Sequence, residues 1–342
     1  MKTNFKIGKF INEYRAYLLV LIIFLLGTQA RNFFTIFNFA SIFNGTVLVG
    51  MLGVAFTICM IAGHLDLSVS ATAAMGGVLA MGMHTFSGLS WGQAIVISVA
   101  MGTGVGIING LLITKANIHS FITTLGMQFV LRGAMFIYSG GGEIGAAGNF
   151  AFASFLTRRI GSTFITPKVA VVLVCIIILA ILLAKTQWGR NIYMIGGNSE
   201  TAWLAGIKRD FTVISVFAIS GFFSALGGAI FAIAQGSAQS DMGDRGIPPL
   251  MVALAATIIG GTATTGGKGS VWKTFVAIFG LMAMFNVLTS IFGMFEIQIL
   301  ANGLVLAACV FHETITTYFS KKKIGIRADL GKERARELGA KN

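Results

Sequence analysis

The chain has 342 residues, of which 55% are hydrophobic and only 11% are charged. A soluble domain carries roughly 25% charged residues, so this composition excludes an ordinary globular surface and requires that apolar side chains face membrane lipid. The net charge of +13 does not indicate a nucleic-acid partner, because the basic residues flank apolar segments instead of lying on one soluble face.

The apolar segments predict an all-α fold, a polytopic integral membrane protein of about ten transmembrane helices. A hydrocarbon core about 30 Å thick needs roughly 20 helical residues per span. The predicted spans, in chain order, are 16–30, 44–62, 68–86, 92–113, 119–138, 168–185, 211–235, 247–261, 271–293 and 297–318. The segment 247–261 is the weakest, because it begins with Pro248-Pro249 and stops at Gly260-Gly261, and we expect a short or broken helix there.

The positions of Lys and Arg predict the orientation of these spans. With the N-terminus in the cytoplasm, most of the 25 Lys and Arg residues fall in cytoplasmic segments. This bias indicates an even number of spans, with both termini in the cytoplasm. The first apolar segment lacks a convincing small-x-small cleavage site, so we interpret it as an uncleaved span. Residues 1–318 then form a permease domain and residues 319–342 a charged cytoplasmic tail.

For two sets of residues we expect a structural role and not a chemical one. Gly102, Gly106 and Gly110 recur at four-residue spacing, which is typical of closely packed membrane helices. The cysteines Cys59, Cys175 and Cys309 are widely separated in apolar stretches, and this spacing predicts neither a disulfide nor a metal site. No cofactor is expected.

The loop around residue 267 fails as a nucleotide-binding loop. A Walker sequence requires G-x-x-x-x-G-K-[ST]. Thr262 stands where the first Gly belongs, and Gly269 follows Lys268. With no nucleophile–base set or paired carboxylates either, the sequence predicts a transport subunit without its own ATPase, and not an enzyme.

The segment from Asn198 to Gly206 predicts a two-turn helix in a cytoplasmic loop. Asn198 or Ser199 can cap its start, Glu200 suits the first turn, and Gly206 is a natural stop. Such a helix would present small and aromatic side chains, namely Ala202, Trp203 and Ala205. It either fits a groove on a partner or packs against its own membrane domain, and the residues alone leave both open.

The loop from Thr186 to Ile207 resembles the cytoplasmic loop of sugar permeases of ATP-binding-cassette importers, the ribose/xylose/galactose/arabinose group. The matching positions are Gly189, Arg190, Tyr193, Ile195, Gly196, Gly197, Asn198, Ala202, Ala205, Gly206 and Ile207. Three further stretches agree in order: residues 63–69, 109–133 and 260–271. The chain departs from the family pattern at Ser70, at His119 and at 250–256, where two acidic residues are lost.

The resemblance implies a coupling helix that docks on a separate ATPase subunit. The residues implied in coupling are Gly197, Asn198, Glu200, Ala202, Leu204, Ala205 and Gly206, within a coupling loop at 186–210. It also implies import of a sugar or sugar-like solute through the inner membrane. The expected partners are the ATPase, a second permease chain and an extracytoplasmic solute-binding protein.

Four residues are candidates for the translocation path. Asp66 is an acid beside an apolar span, and it either acts in transport or caps the next helix. Arg132 falls inside a span, and it either lines a water-filled cavity or reaches the interface. Phe121 could stack on a sugar, and Asn109 belongs to a stretch that resembles the family.

The alternative function is an ion-coupled secondary transporter of a small polar solute. Such transporters place carboxylates within the membrane. Asp66 is the fair candidate here, with Glu296 at the edge of a span. The alternative therefore depends on whether Asp66 can exchange ions.

Overall fold

The computed structural model describes residues 2–146, 151–242, 248–294, 296–308 and 311, with side chains from Glu13 onward. The described helices are α1 (Lys2–Gly27), α2 (Ile36–Ile61), α3 (Val69–Ser87), α4 (Trp91–Thr114), α5 (Ser120–Tyr138), α6 (Ala151–Thr157), α7 (Pro167–Lys185), α8 (Gln187–Gly197), α9 (Ser199–Leu204), α10 (Arg209–Gln235), α11 (Pro249–Ile259), α12 (Val271–Phe292) and α13 (Glu296–Ala308). Two short strands, β1 (Ile144–Gly145) and β2 (Ser237–Ala238), pair antiparallel.

Each predicted span overlaps a helix, and six described helices are long and apolar enough to cross a membrane: α2, α4, α5, α7, α10 and α12. The count of ten spans stays a prediction. The predicted span 297–318 is described only to residue 308 and at residue 311, and Cys309 and the tail 319–342 lie outside the described residues.

The predicted start of the second span at residue 44 is wrong, because α2 begins at Ile36. The Thr35 side chain accepts a hydrogen bond from the Asn38 amide at 3.3 Å and caps the helix. The Asn38 side chain is also satisfied, donating to Phe33 O at 2.9 Å and accepting from Asn286 at 2.8 Å. A polar residue that interrupts the apolar run in sequence is thus paired inside the fold.

Helix α2 lies at the centre of the bundle. It is buried continuously from Thr46 to Ile61, as expected for a helix that is apolar on all sides. Helices α7, α10, α11 and α12 pack around it. The Thr57 hydroxyl lies 2.9 Å from that of Thr274 and 3.4 Å from that of Thr257, which links α2 to α12 and α11. Helices α4, α5 and α7 expose long apolar side chains on the outside.

Helices α4 and α10 touch backbone to backbone along the predicted glycine face. A Cβ atom at Gly106 would lie 2.0 Å from Phe217 O, and one at Gly221 would lie 2.1 Å from Gly102 O. Neither contact leaves room for a methyl group. The prediction of close packing by Gly102, Gly106 and Gly110 is confirmed.

Helices α3, α5 and α10 run in the same direction and define two ends of the molecule. At their starts, Leu67 N donates to Thr124 Oγ1 at 3.1 Å, and Lys115 pairs with Asp210 at 2.5 Å. At their ends, the β1–β2 ribbon joins the segments that follow α5 and α10. Helix α10 has 27 residues and is therefore about 40 Å long, so the loop that contains α8 and α9 lies far from the ribbon.

We predict that Gly106→Ala lowers the free energy of unfolding by about 1–3 kcal/mol, because the new methyl group forces α4 away from α10. The matched control is Gly104→Ala on the same helix, where a Cβ atom meets nothing within 4 Å. Thermal unfolding of the detergent-purified variants measures both. Equal stability of the two variants would contradict the packing described here.

Candidate coupling site and transport path

The coupling loop contains two helices, where the sequence predicted one. Helix α8 begins at the Thr186 cap, whose hydroxyl accepts from Gly189 N at 3.1 Å. Helix α9 begins at Asn198, whose Oδ1 accepts from the amides of Glu200 and Thr201, each at 3.0 Å. The predicted cap and first turn of the short helix are confirmed.

Gly206 lies just beyond the end of α9, where the sequence predicted a stop. Gly206 has φ +77°, a conformation that glycine adopts without strain. Its amide donates to Trp203 O at 2.9 Å, and the Ile207 amide donates to Ala202 O at 3.1 Å. These bonds satisfy carbonyls at the end of the helix and turn the chain into α10.

The exposed side of α9 agrees with the predicted contact surface at Trp203 and Ala205 and differs from it at Ala202. Ala202 is 1% exposed, so the prediction that it forms part of that surface is wrong. In a helix this short, successive side chains point about 100° apart, and the position that packs inward falls on Ala202. Trp203 and Leu204 are 69% and 74% exposed and form an apolar tip. The other coupling candidates are also exposed: Gly197, Asn198, Glu200, Ala205 and Gly206.

The end of α8 is packed against two other loops at the same end of the bundle. We call this contact the glycine junction, and it consists of Gly63, Gly196, Gly266 and Gly267. A Cβ atom at Gly196 would lie 1.8 Å from Ile61 O and 2.6 Å from Gly267 N. The Gly267 amide also donates to Ile61 O at 2.8 Å. The coupling loop therefore contacts both the α2–α3 and the α11–α12 connections through backbone atoms.

A side chain of α8 strengthens the same junction. The Tyr193 hydroxyl donates to Gly269 O at 2.9 Å across the loop that precedes α12. Gly266 and Gly267 have φ values of +86° and +73°, in the left-handed region that favours glycine. The junction thus depends on glycine both for space and for backbone conformation.

Asp66 lies at the centre of a buried polar cluster. It is 2% exposed, and its Oδ1 accepts from Ser68 N at 3.1 Å and from Ser68 Oγ at 2.6 Å. Its Oδ2 accepts from Ser220 Oγ at 2.7 Å, and Asn109 Nδ2 donates to Ser68 Oγ at 3.0 Å. The cluster ties the start of α3 to α4 and α10. Burial raises the pKa of the Asp66 carboxyl, and the bonds from Ser68 and Ser220 oppose that change.

The four path candidates do not lie together. Asp66 and Asn109 are packed within this cluster. Asp66 accepts from Ser68, which precedes α3, and not from an amide of the first turn of that helix, so the capping interpretation of Asp66 is not confirmed. Phe121 is exposed on the outside of α5. Arg132 lines a cavity at the opposite end of the bundle, which favours the cavity interpretation over the interface. A role for each of them in transport stays a prediction.

The cavity beside Arg132 has a volume of about 470 Å³. Most of its polar lining was not predicted. The lining residues are Arg132, Phe136, Gly141, Gly142, Glu143, Gln239, Ser240 and Asp241. They come from the last turns of α5 with the loop that follows it, and from the segment after β2, about a hundred positions later. The pairing of β1 with β2 brings these two parts of the chain together. In the sequence, only the acidic and amide residues that follow two apolar spans indicated this lining, and that indication is weak.

Two hydrogen bonds hold this lining in place. Gln239 Nε2 donates to Glu143 Oε2 at 2.7 Å, next to the paired strands. The hydroxyls of Ser139 and Ser240 lie 3.2 Å apart, which fixes the end of α5 to the segment after β2. Among the described residues, no group of three His, Cys, Asp or Glu is placed to hold a metal ion.

Comparison with known proteins places the chain among permeases. Residues 38–311 match the family described as the branched-chain amino acid transport system permease component. No solved structure matches the chain.

Curated relatives match this chain over two thirds of its length or more, and the two ribose permeases match nearly all of it. The ribose import permease protein of Haemophilus influenzae is 30% identical over 326 residues, which cover 94% of this chain and 98% of that protein. The ribose import permease of Bacillus subtilis is 32% identical, with 89% and 91% covered. The fructose import permease of Rhizobium meliloti is 33% identical, with 70% and 67% covered.

These relatives are permease components and not enzymes, as predicted for this chain. Together with six apolar helices of spanning length, they confirm the predicted location in the inner membrane as a multi-pass protein. The chain belongs to the family of transport-system permease components, and the predicted membership among the permease subunits of ATP-binding-cassette importers is confirmed.

Proposed function

We propose that the chain forms the membrane pathway of an importer that carries a neutral sugar or sugar-like solute into the cytoplasm, driven by a separate ATPase subunit. The observation that carries this proposal is the exposed apolar tip of α9. The loop that contains this tip contacts the bundle through backbone atoms. An exposed Trp203 and Leu204 on a capped helix in a loop suit a groove on a partner protein.

The solute class follows from the relatives. Their names give ribose, fructose and L-arabinose as the imported solutes, and one imports autoinducer 2. Permeases of this kind work with an ATPase and a solute-binding protein. For this chain we propose those two partners and a second permease chain.

We further propose that ten helices cross the membrane, with both termini in the cytoplasm. Residues 1–318 form the permease domain, with a cytoplasmic coupling loop at 186–210. Helix α11 has 11 residues and spans about 16 Å, so it forms only part of the eighth of these crossings. The Walker pattern fails at Thr262 and Gly269, so ATP hydrolysis belongs to the partner.

The mechanism follows from the glycine junction. Closure of the ATPase would displace α9 and α8, and Gly196 would transmit that displacement to the backbone at Ile61 and Gly267. Close-packed backbone contacts have no flexible side chain to absorb a movement. Helices α2, α3, α11 and α12 would then shift between inward-facing and outward-facing arrangements, and ATP would change their populations.

The ion-coupled alternative depends on the buried carboxylate of Asp66. Its two oxygens accept three hydrogen bonds from Ser68 and Ser220, so the group is held in place inside the packed cluster. Uptake into proteoliposomes that contain the chain without an ATPase distinguishes the two functions. Full-rate uptake driven by an ion gradient would establish the alternative and reject the proposal.

We predict that Leu204→Arg abolishes ATP-dependent uptake while the chain still inserts and folds. Removing an apolar contact at the centre of an interface costs about 2 kcal/mol or more, equivalent to about thirtyfold weaker binding of the ATPase. Co-purification with the ATPase and solute uptake in proteoliposomes measure the effect. The control is Ile160→Arg, which places the same charge on an exposed residue near the start of α7. Unchanged ATPase binding by Leu204→Arg would count against the docking role.

We predict that Gly196→Ala separates ATP hydrolysis from transport. The methyl group overlaps Ile61 O, so the junction must open, while the tip of α9 stays available to the ATPase. The complex should assemble and hydrolyse ATP, with uptake per ATP reduced at least about tenfold and stability lowered by about 1–3 kcal/mol.

The control for Gly196→Ala is Gly104→Ala on α4, outside the coupling loop, where a Cβ atom meets nothing within 4 Å. This variant should transport like the original chain. If the two variants give the same ratio of uptake to hydrolysis, the glycine junction does not transmit the movement.

A further inference from the structure

The cavity at the ribbon end of the bundle, which we call the ribbon cavity, is lined by residues that can recognise a ligand. Its volume of about 470 Å³ falls in the range of small-molecule sites, roughly 300–1,000 Å³. It lies at the end of α10 opposite the coupling loop. In the proposed orientation that end faces outward, where solute arrives.

The polar groups of the ribbon cavity offer both kinds of hydrogen-bonding partner. Arg132 only donates, the ionised carboxylates of Glu143 and Asp241 only accept, and Gln239 and Ser240 do both. A sugar hydroxyl donates and accepts at once, so neighbouring hydroxyls can bond to a carboxylate and a guanidinium together. Phe136 adds an apolar ring face to the same lining.

The charges of the lining indicate the charge of the ligand. One guanidinium and two carboxylates give no excess of positive charge, so the lining does not favour a phosphorylated or acidic solute. A neutral ligand with several hydroxyl groups fits both the charges and the donor–acceptor pattern.

The fold holds these groups in fixed positions. Glu143 is oriented by its bond from Gln239, and Ser240 is 8% exposed and lies beside Ser139. On the other side of the ribbon, the Thr85 hydroxyl donates to Gly145 O at 3.0 Å, which ties the end of α3 to β1. Fixed polar groups reduce the entropy lost when a ligand binds.

We propose that the ribbon cavity binds the transported solute, a neutral polyhydroxylated molecule, at the outer end of this chain. The inference rests on the proposed function and adds a specific site to it. Arg132, Gln239 and Asp241 are its recognition residues, and no phosphorylated or acidic solute should compete for it.

The test uses the full chain in lipid nanodiscs, with its native cysteines replaced and Gly142→Cys introduced. A Cβ atom at Gly142 would lie 3.9 Å from its nearest neighbour, Ser139 O, so the position accepts a side chain. The rate of labelling by a charged maleimide is measured with D-ribose, L-arabinose or D-fructose. At about ten times the Kd, a bound sugar should slow labelling about tenfold.

Two lining variants and two controls complete the experiment. Asp241→Asn and Arg132→Gln, each made with Gly142→Cys, should lose the protection by sugar. Arg158→Gln, the same change at an exposed position outside the cavity, should keep it. Labelling of Ser154→Cys on exposed α6 should not respond to sugar at all.

The inference is overturned if none of the three sugars slows labelling, or if protection survives in both Asp241→Asn and Arg132→Gln. These results are independent of the proposed function, which is tested by the ATPase dependence of uptake. If the chain imports sugar with ATP but sugar does not slow the labelling of Gly142→Cys, the proposed function stands and the proposed site is rejected.

Discussion

The backbone contact between the coupling loop and the bundle is the constraint on which the rest of the structure depends. At Gly196 a carbonyl oxygen and an amide nitrogen come so close that no side chain fits. A contact between backbones is stiff, because a peptide unit has few soft torsions with which to yield. The loop that carries Trp203 and Leu204 is therefore in direct backbone contact with α2, which is buried continuously from Thr46 to Ile61.

The same principle organises the contact between α4 and α10. Glycines on both helices allow backbone approach, and dispersion between closely packed atoms replaces the hydrophobic effect that lipid cannot supply. The polar groups around Asp66 are bonded to one another, whereas the buried Asn109 Oδ1 and Ser224 Oγ atoms on these two helices make no hydrogen bond. Helix α10 consequently connects two chemically different ends of the bundle. One end carries the apolar tip formed by Trp203 and Leu204, and the other carries polar groups around a cavity.

The exposed surface of α9 was only partly predictable from the sequence, because packing decides which side of a short helix is buried. The cap at Asn198 and the stop at Gly206 are local properties, and they were readable from residue types. Which side of α9 faces the bundle depends on how α8 approaches Ile61, and no local pattern encodes that approach. Ala202 was therefore assigned to the exposed surface, whereas Trp203 and Leu204 form it.

The sequence by itself determined the membrane environment, the order of the helices, the family and the short capped helix that starts after Asn198. These properties follow from apolar runs, glycine spacing and ordered motifs, all of which are local along the chain. Only the tertiary structure decided that Asp66 and Asn109 are joined through Ser68 and that Arg132 faces a cavity shared with Gln239 and Asp241. The physical reason is that these partners are distant in sequence. They meet because the helices pack together and the two-residue strands pair, an arrangement that burial of the whole bundle stabilises.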